Sequence, residues 1–154
     1  MNLRTRQNKP PDKVRQVKKQ AKITQREICG LVAELNQTIE AHVRHASERL
    51  ALTAAQAVAL RELDSTITLK ELARRMCCEP SNTTFVVDKL EALGFLERGP
   101  HPDDRRAKLL FLTDAGKDKR AEVIAELSKS SPLSSLTEDE KYRLSELLYR
   151  AIAT

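Results

Sequence analysis

Aromatic side chains are nearly absent: the 154 residues hold two Tyr, three Phe and no Trp. Any core must therefore be aliphatic, built from Leu, Val, Ile and Ala. Long apolar runs are missing too. None approaches the roughly 20 residues that span a bilayer, so no membrane association is expected. The basic N-terminus is not followed by the apolar stretch of a secretory signal. Cysteine is scarce, and Cys29, Cys77 and Cys78 cannot all pair within one chain. Their spacing matches neither a disulfide framework nor a zinc site, which makes a reducing cytoplasm the expected compartment. His42, His45 and His101 have no nucleophile or carboxylate grouped with them, so neither an enzyme nor a cofactor is expected. His42 and His45 lie three apart on one helical stretch with Cys29 upstream, but a third metal ligand is not evident.

Charge, by contrast, is abundant and uneven. Eight basic residues (Arg4, Arg6, Lys9, Lys13, Arg15, Lys18, Lys19, Lys22) stand against one acid, Asp12, in the first 22 positions. The rest of the chain is slightly acidic, so the pI of about 9.2 reflects a basic arm. Residues 1–22 read as that arm, with the first ten expected to be disordered. Such a run is a solvated tail or, in a nucleic-acid binder, a source of non-specific phosphate attraction.

Apolar or small residues recur at helical spacing through Val14, Val17, Ala21, Ile28, Leu31, Leu35, Ile39, Val43, Ala46 and Leu50. The pattern predicts a long helix from about Thr24 to Leu50, which could reach back to Asp12. A single stripe on so long a helix is a candidate surface for another chain. Thr53 with Gln56, Thr68 with Glu71, and Thr137 with Glu140 have capping-box spacing and open three further helices. Thr66-Ile67 reads as a minimal strand. Pro80 begins a helix running to Leu93, with Gly94 as its left-handed cap. Phe95–Arg98 and Ala107–Leu112 read as the strands of a hairpin, with Gly99–Asp104 as its turn. Thr113 caps a helix to about Lys129.

A helix-turn-helix followed at once by a two-stranded hairpin is a winged helix. The fold class expected is mainly α with a small β-hairpin wing (α+β). Leu69, Leu72, Ala73, Met76, Val86, Val87 and Leu90 are its inward positions. The second helix of the motif opens Pro80-Ser81-Asn82-Thr83-Thr84, a run of small polar residues suited to phosphate oxygens and base edges at the start of a recognition helix. Lys89, further along it, and Thr68, Arg74 and Arg75 on the preceding helix are candidate phosphate contacts. At the hairpin tip, Asp104-Arg105-Arg106 offers arginine to a minor groove, with Asp104 placed to orient Arg106.

Leu52-Thr53-x-x-Gln56, Leu72-Ala73, Ser81-x-x-Thr84, Val87-Asp88-Lys89-Leu90-Glu91, Gly94-Phe95-Leu96-x-Arg98, Asp104-Arg105-Arg106 and Leu112-Thr113-x-x-Gly116 follow in an order and spacing that resemble the MarR (multiple antibiotic resistance regulator) family. The resemblance implies a homodimeric regulator, joined by its first and last two helices, that reads a pseudo-palindromic site in double-stranded DNA. It implies one domain over 23–154, with a DNA-binding lobe at 52–112 and dimerisation helices at 23–51 and 113–154. It also implies a small-molecule effector, often an aromatic acid, bound between lobe and dimer helices, and repression relieved by it. Phe85 departs from the family, which often has a polar or basic residue there. It either meets a thymine methyl or packs inward. Two rival readings stand beside this one: a winged-helix protein-interaction module that leaves DNA alone, and a thiol-based redox sensor using Cys29 or the Cys77-Cys78 pair.

Overall fold

A computed structural model describes residues 23–104 and 107–153. The elements, in chain order, are α1 (Gln25–Arg49), α2 (Ala54–Glu62), β1 (Ile67–Thr68), α3 (Leu69–Arg75), α4 (Pro80–Ala92), β2 (Leu96–Pro100), β3 (Lys108–Leu112), α5 (Asp114–Ser128) and α6 (Glu138–Ile152). The fold is the expected mainly helical one with a small antiparallel sheet, in strand order β1-β3-β2. The predicted arm, residues 1–22, and the reach of α1 back to Asp12 lie outside the described residues.

Capping explains most boundaries. The Thr53 hydroxyl accepts from the Gln56 amide while the Gln56 side chain accepts from the Thr53 amide, and Thr137 with Glu140 does the same for α6. At α3 only half the predicted box forms. The Thr68 hydroxyl accepts from the Glu71 amide, but the Glu71 carboxylate receives Arg74 and Arg75 instead. A charge-assisted bond to a guanidinium outcompetes one from a neutral amide. The minimal strand falls one residue later than predicted, because Ile67 is buried opposite Leu110 and Thr68 opposite Leu109. The wing strand β2 also runs on through Gly99 and Pro100, which pair with Leu109 and Lys108. Cross-strand pairing overrides the local turn preference of those two residues.

The chain divides into two compact units, Gln37–Ser131 and the pair of segments Met1–Asn36 and Pro132–Thr154. In the first, Leu60, Leu72, Leu90, Leu96, Leu110, Val87 and Val123 are fully buried. The core is aliphatic, as the shortage of aromatics requires, and each such side chain contributes about 1.5–3 kcal/mol on leaving water. The predicted inward residues all belong to it: Ala73 and Val86 are also buried, and Leu69 and Met76 pack at its edge. In the second unit, α6 buries no residue at all. Its Tyr142, Leu147, Tyr149 and Ile152, and Ile28, Leu31 and Val32 of α1, are exposed.

One knot joins the end of α4 to the start of α5. Thr113 donates its hydroxyl to the Gly94 carbonyl at 2.7 Å and its amide to the Phe95 carbonyl at 3.1 Å, while that hydroxyl accepts from the Gly116 amide. Gly94 takes φ +75°, the left-handed cap that glycine adopts without penalty. A Cβ on Gly116 would lie 1.8 Å from the Phe95 carbonyl oxygen, so no larger residue fits that crossing.

Candidate nucleic-acid interface

Helix α4 starts at Pro80 and its N-cap residue, Glu79, makes no side-chain capping bond. An uncapped N-terminus leaves backbone N–H groups for water or a phosphate. Around it, Ser81, Asn82, Phe85, Asp88 and Lys89 are exposed, whereas Val86, Val87 and Leu90 face the core. Thr84 is half-buried and donates its hydroxyl to the Pro80 carbonyl at 2.9 Å. Thr68, half-buried at the start of α3, spends one lone pair on the Glu71 amide and retains a hydroxyl hydrogen.

One predicted contact is corrected, and a second is engaged within the protein. Thr83 is wholly buried. Its hydroxyl donates to the Glu79 carbonyl at 3.2 Å and lies 3.1 Å from the Cys78 sulfur, so it secures the turn before α4 and cannot reach a duplex. Arg75 is only 26% exposed, and its guanidinium is taken by Asp64, Glu71 and the Glu62 carbonyl at 2.7–3.1 Å. It closes the loop between α2 and α3 from inside. Arg74 is exposed yet grips Glu71 through two bonds, at 2.8 and 2.9 Å. Together the two arginines, Arg74 foremost, hold the Glu71 carboxyl at about 2, well below its ordinary 4.5.

The wing is held against α4 by a contact that sequence reasoning missed. Arg98 of β2 donates to Asp88 at 2.5 Å and to Glu91 at 2.7 Å, both on α4. The motifs Val87-Asp88-Lys89-Leu90-Glu91 and Gly94-Phe95-Leu96-x-Arg98 carried all three residues. The helix-face spacing of the two acids, i and i+3, was the available signal. His101 is a second omission. Its Nδ1 accepts from the amides of Asp103 and Asp104, at 3.1 and 3.2 Å, and shapes the turn after β2. Arg105 and Arg106, and with them the predicted Asp104–Arg106 pair, lie outside the described residues.

A cavity of about 540 Å³ opens between α3, α4 and the wing, and its walls include Thr68, Pro80, Thr84, Arg98, Asp104 and Lys108. It therefore brings Thr68, Pro80, Thr84 and Asp104 of the predicted residues together, while Ser81, Asn82 and Lys89 lie on the exposed surface of α4. Elsewhere, Cys29 and Cys77 are exposed and Cys78 is half-buried, all as free thiols. His42 donates its Nε2–H to the Leu127 carbonyl at 2.8 Å. Among the described residues no three metal-ligating side chains gather, and no helix is long and apolar enough to cross a membrane.

A helix-turn-helix with a short polar recognition helix and a strand-paired wing defines a winged-helix DNA-binding protein. Comparison with known proteins agrees. A MarR family model matches residues 52–108. The HTH-type transcriptional repressor MdtR of Bacillus subtilis (strain 168) is 36% identical over 110 residues, 69% of this chain and 71% of that protein. The HTH-type transcriptional regulator YkoM of the same organism is 35% identical over 85 residues, 54% of this chain, and the match spans 55% of that protein's length. Among solved structures, a mutant MarR from E. coli, complexed with operator DNA, superposes with a TM-score of 0.66 at 26% identity, covering 80% of this chain and 92% of that one. The chain belongs to the MarR family of winged-helix transcriptional regulators, which are DNA-binding proteins rather than enzymes.

Proposed function

We propose that the chain is a homodimeric repressor. Each copy seats α4 in the major groove of a pseudo-palindromic operator and sets its wing over the adjoining minor groove. The observation that carries this reading is the uncapped, polar start of α4 standing beside a wing tied to the same helix by Arg98. In it Thr68, Pro80, Ser81, Asn82, Thr84 and Lys89 meet the duplex, and so do Asp104 and the two arginines that follow it in the sequence, Arg105 and Arg106. Thr83 and Arg75 are left out. The exposed apolar residues of α1 and α6 supply the dimer surface. A 15-residue helix that buries nothing is marginal by itself in water, so a second copy covering it is the economical account. Repression follows the relative MdtR, which is named a repressor.

The test is selection of bound sequences from a random duplex pool, with sedimentation to read the complex. Enriched sites should carry two half-sites about one helical turn apart, bound by two copies. Failure to shift any duplex at low salt would favour the protein-interaction module instead. Release by a small molecule is a second reading, supported by the cavity beside α4. Its 540 Å³ suits a small ligand, and Lys70 and Lys108 offer cations to an acidic one, beside Asp104 and beside an Asp88 already paired with Arg98. Such a ligand would press on Pro80 and Thr84 and compete with phosphate. Titrating aromatic acids against the bound operator tests it: no release at millimolar concentration refutes this reading.

A further inference from the structure

Phe85 is the one large apolar side chain on the exposed flank of the first turns of α4, and it is 64% exposed. It does not serve the core. Val86, Val87 and Leu90 carry the packing of that helix and are buried. Positions 82, 85 and 89 are separated by three and four residues, so Asn82, Phe85 and Lys89 form a single outward stripe. The Lys89 ammonium lies 5.4 Å from the centre of the Phe85 ring. A cation at that range is attracted to the ring face. It restrains the ring on the helix surface and leaves the remainder of it turned outward.

A lone phenyl ring flanked by an amide and an ammonium is a poor match for an apolar protein partner, which would need a wider patch. It does match a major groove. There the thymine C5-methyl is the one bulky apolar group among the hydrogen-bonding edges of the base pairs. We propose that Phe85 is a specificity residue that reads thymine methyl groups in the operator, next to the base that Asn82 addresses. This rests on α4 entering the major groove. It adds which base is chosen and by what force: apolar contact rather than a hydrogen bond. Lys89 then has two tasks, phosphate attraction and support of the ring.

The experiment uses the full chain and duplexes selected by it, with each thymine replaced in turn by uracil, which lacks only the methyl group. For the wild type, at least one position per half-site should lose about fourfold in affinity, the equivalent of one buried methyl(ene). In Phe85→Ala the same replacement should have no effect, while binding to non-specific duplex stays within about twofold. Phe85→Leu should keep part of the sensitivity. Phe85 is exposed, so unchanged circular dichroism and melting are expected and are checked first. A wild type indifferent to every thymine-to-uracil change overturns the inference while leaving the DNA-binding reading intact. So does a Phe85→Ala variant that keeps the sensitivity. A wild type that shifts no duplex brings down the underlying reading, and this inference with it.

Discussion

Arg98, on the first strand of the wing, donates to Asp88 in the middle of α4 at 2.5 Å. A second bond from the same guanidinium reaches Glu91 one turn on, at 2.7 Å. In the proposed docking, recognition helix and wing enter neighbouring grooves at a set separation, and this fork would set it. Asp88 is more than half exposed, so the contact contributes little to stability, about 1 kcal/mol or less. Its value lies in orientation.

Arg98→Ala should therefore lower operator affinity on the order of tenfold, about 1.4 kcal/mol, while the urea midpoint barely moves. Asp88→Ala should do the same, and the double variant should be little worse than either, because the residues act as one unit. Additive losses in a double-mutant cycle would show that each touches DNA separately.

Thr83 and Asn82 are neighbours with opposite fates, which makes them a sharp pair. Thr83→Val keeps the shape and removes a hydroxyl bonded at 3.2 Å to the Glu79 carbonyl. It should cost about 1 kcal/mol of stability and leave operator affinity alone. Asn82→Ala should leave the melt unchanged and lose about 1–3 kcal/mol on the selected site, with random duplex hardly affected. Thermal melts and mobility shifts on both variants decide it.

Much of this was legible in the chain. Thr53, Thr113 and Thr137 fix helix starts by local chemistry, and Leu72, Val87 and Leu90 show the buried face by period alone. Thr83 was legible in principle. It stands three and four residues before Val86 and Val87 and seven before Leu90, on the inner stripe, but its polarity argued the other way. Arg75 was legible only in its i,i+4 pairing with Glu71; Asp64 is eleven residues away, and only the fold of β1 and α3 brings it to the guanidinium. The extension of β2 through Pro100 was hidden for the same reason: its cause is the opposite strand.

Cys77 occupies the left-handed position that closes α3, with φ +51°. The closure is a Schellman motif: the Cys78 amide donates to the Ala73 carbonyl at 3.1 Å and the Cys77 amide to the Arg74 carbonyl at 3.2 Å. A side chain there costs about 1–2 kcal/mol, part of which glycine returns through the entropy of the unfolded chain. Cys77→Gly should thus raise stability by about 0.5–1 kcal/mol in urea denaturation, with DNA binding unchanged. Destabilisation instead would mean that the Cys77 side chain makes a contact worth more than the strain.

Acid should loosen the helix-turn-helix through Glu71. Bonds from Arg74 first, then Arg75, hold its carboxyl at about 2 against an ordinary 4.5. A depressed carboxyl contributes stability that is fully present above the unfolded value and is lost as pH falls through the folded one. The contribution should therefore hold at about pH 6, decline below about 4.5 and be gone near 2. Glu71→Gln removes it at every pH. Melting temperatures of the two proteins should differ most at about pH 6 and draw together down to about pH 2. Asp64, lowered chiefly by Arg75, titrates in both proteins and to first order cancels from the difference. A gap that stays constant across this range would mean that Glu71 acts through shape alone and not through its charge.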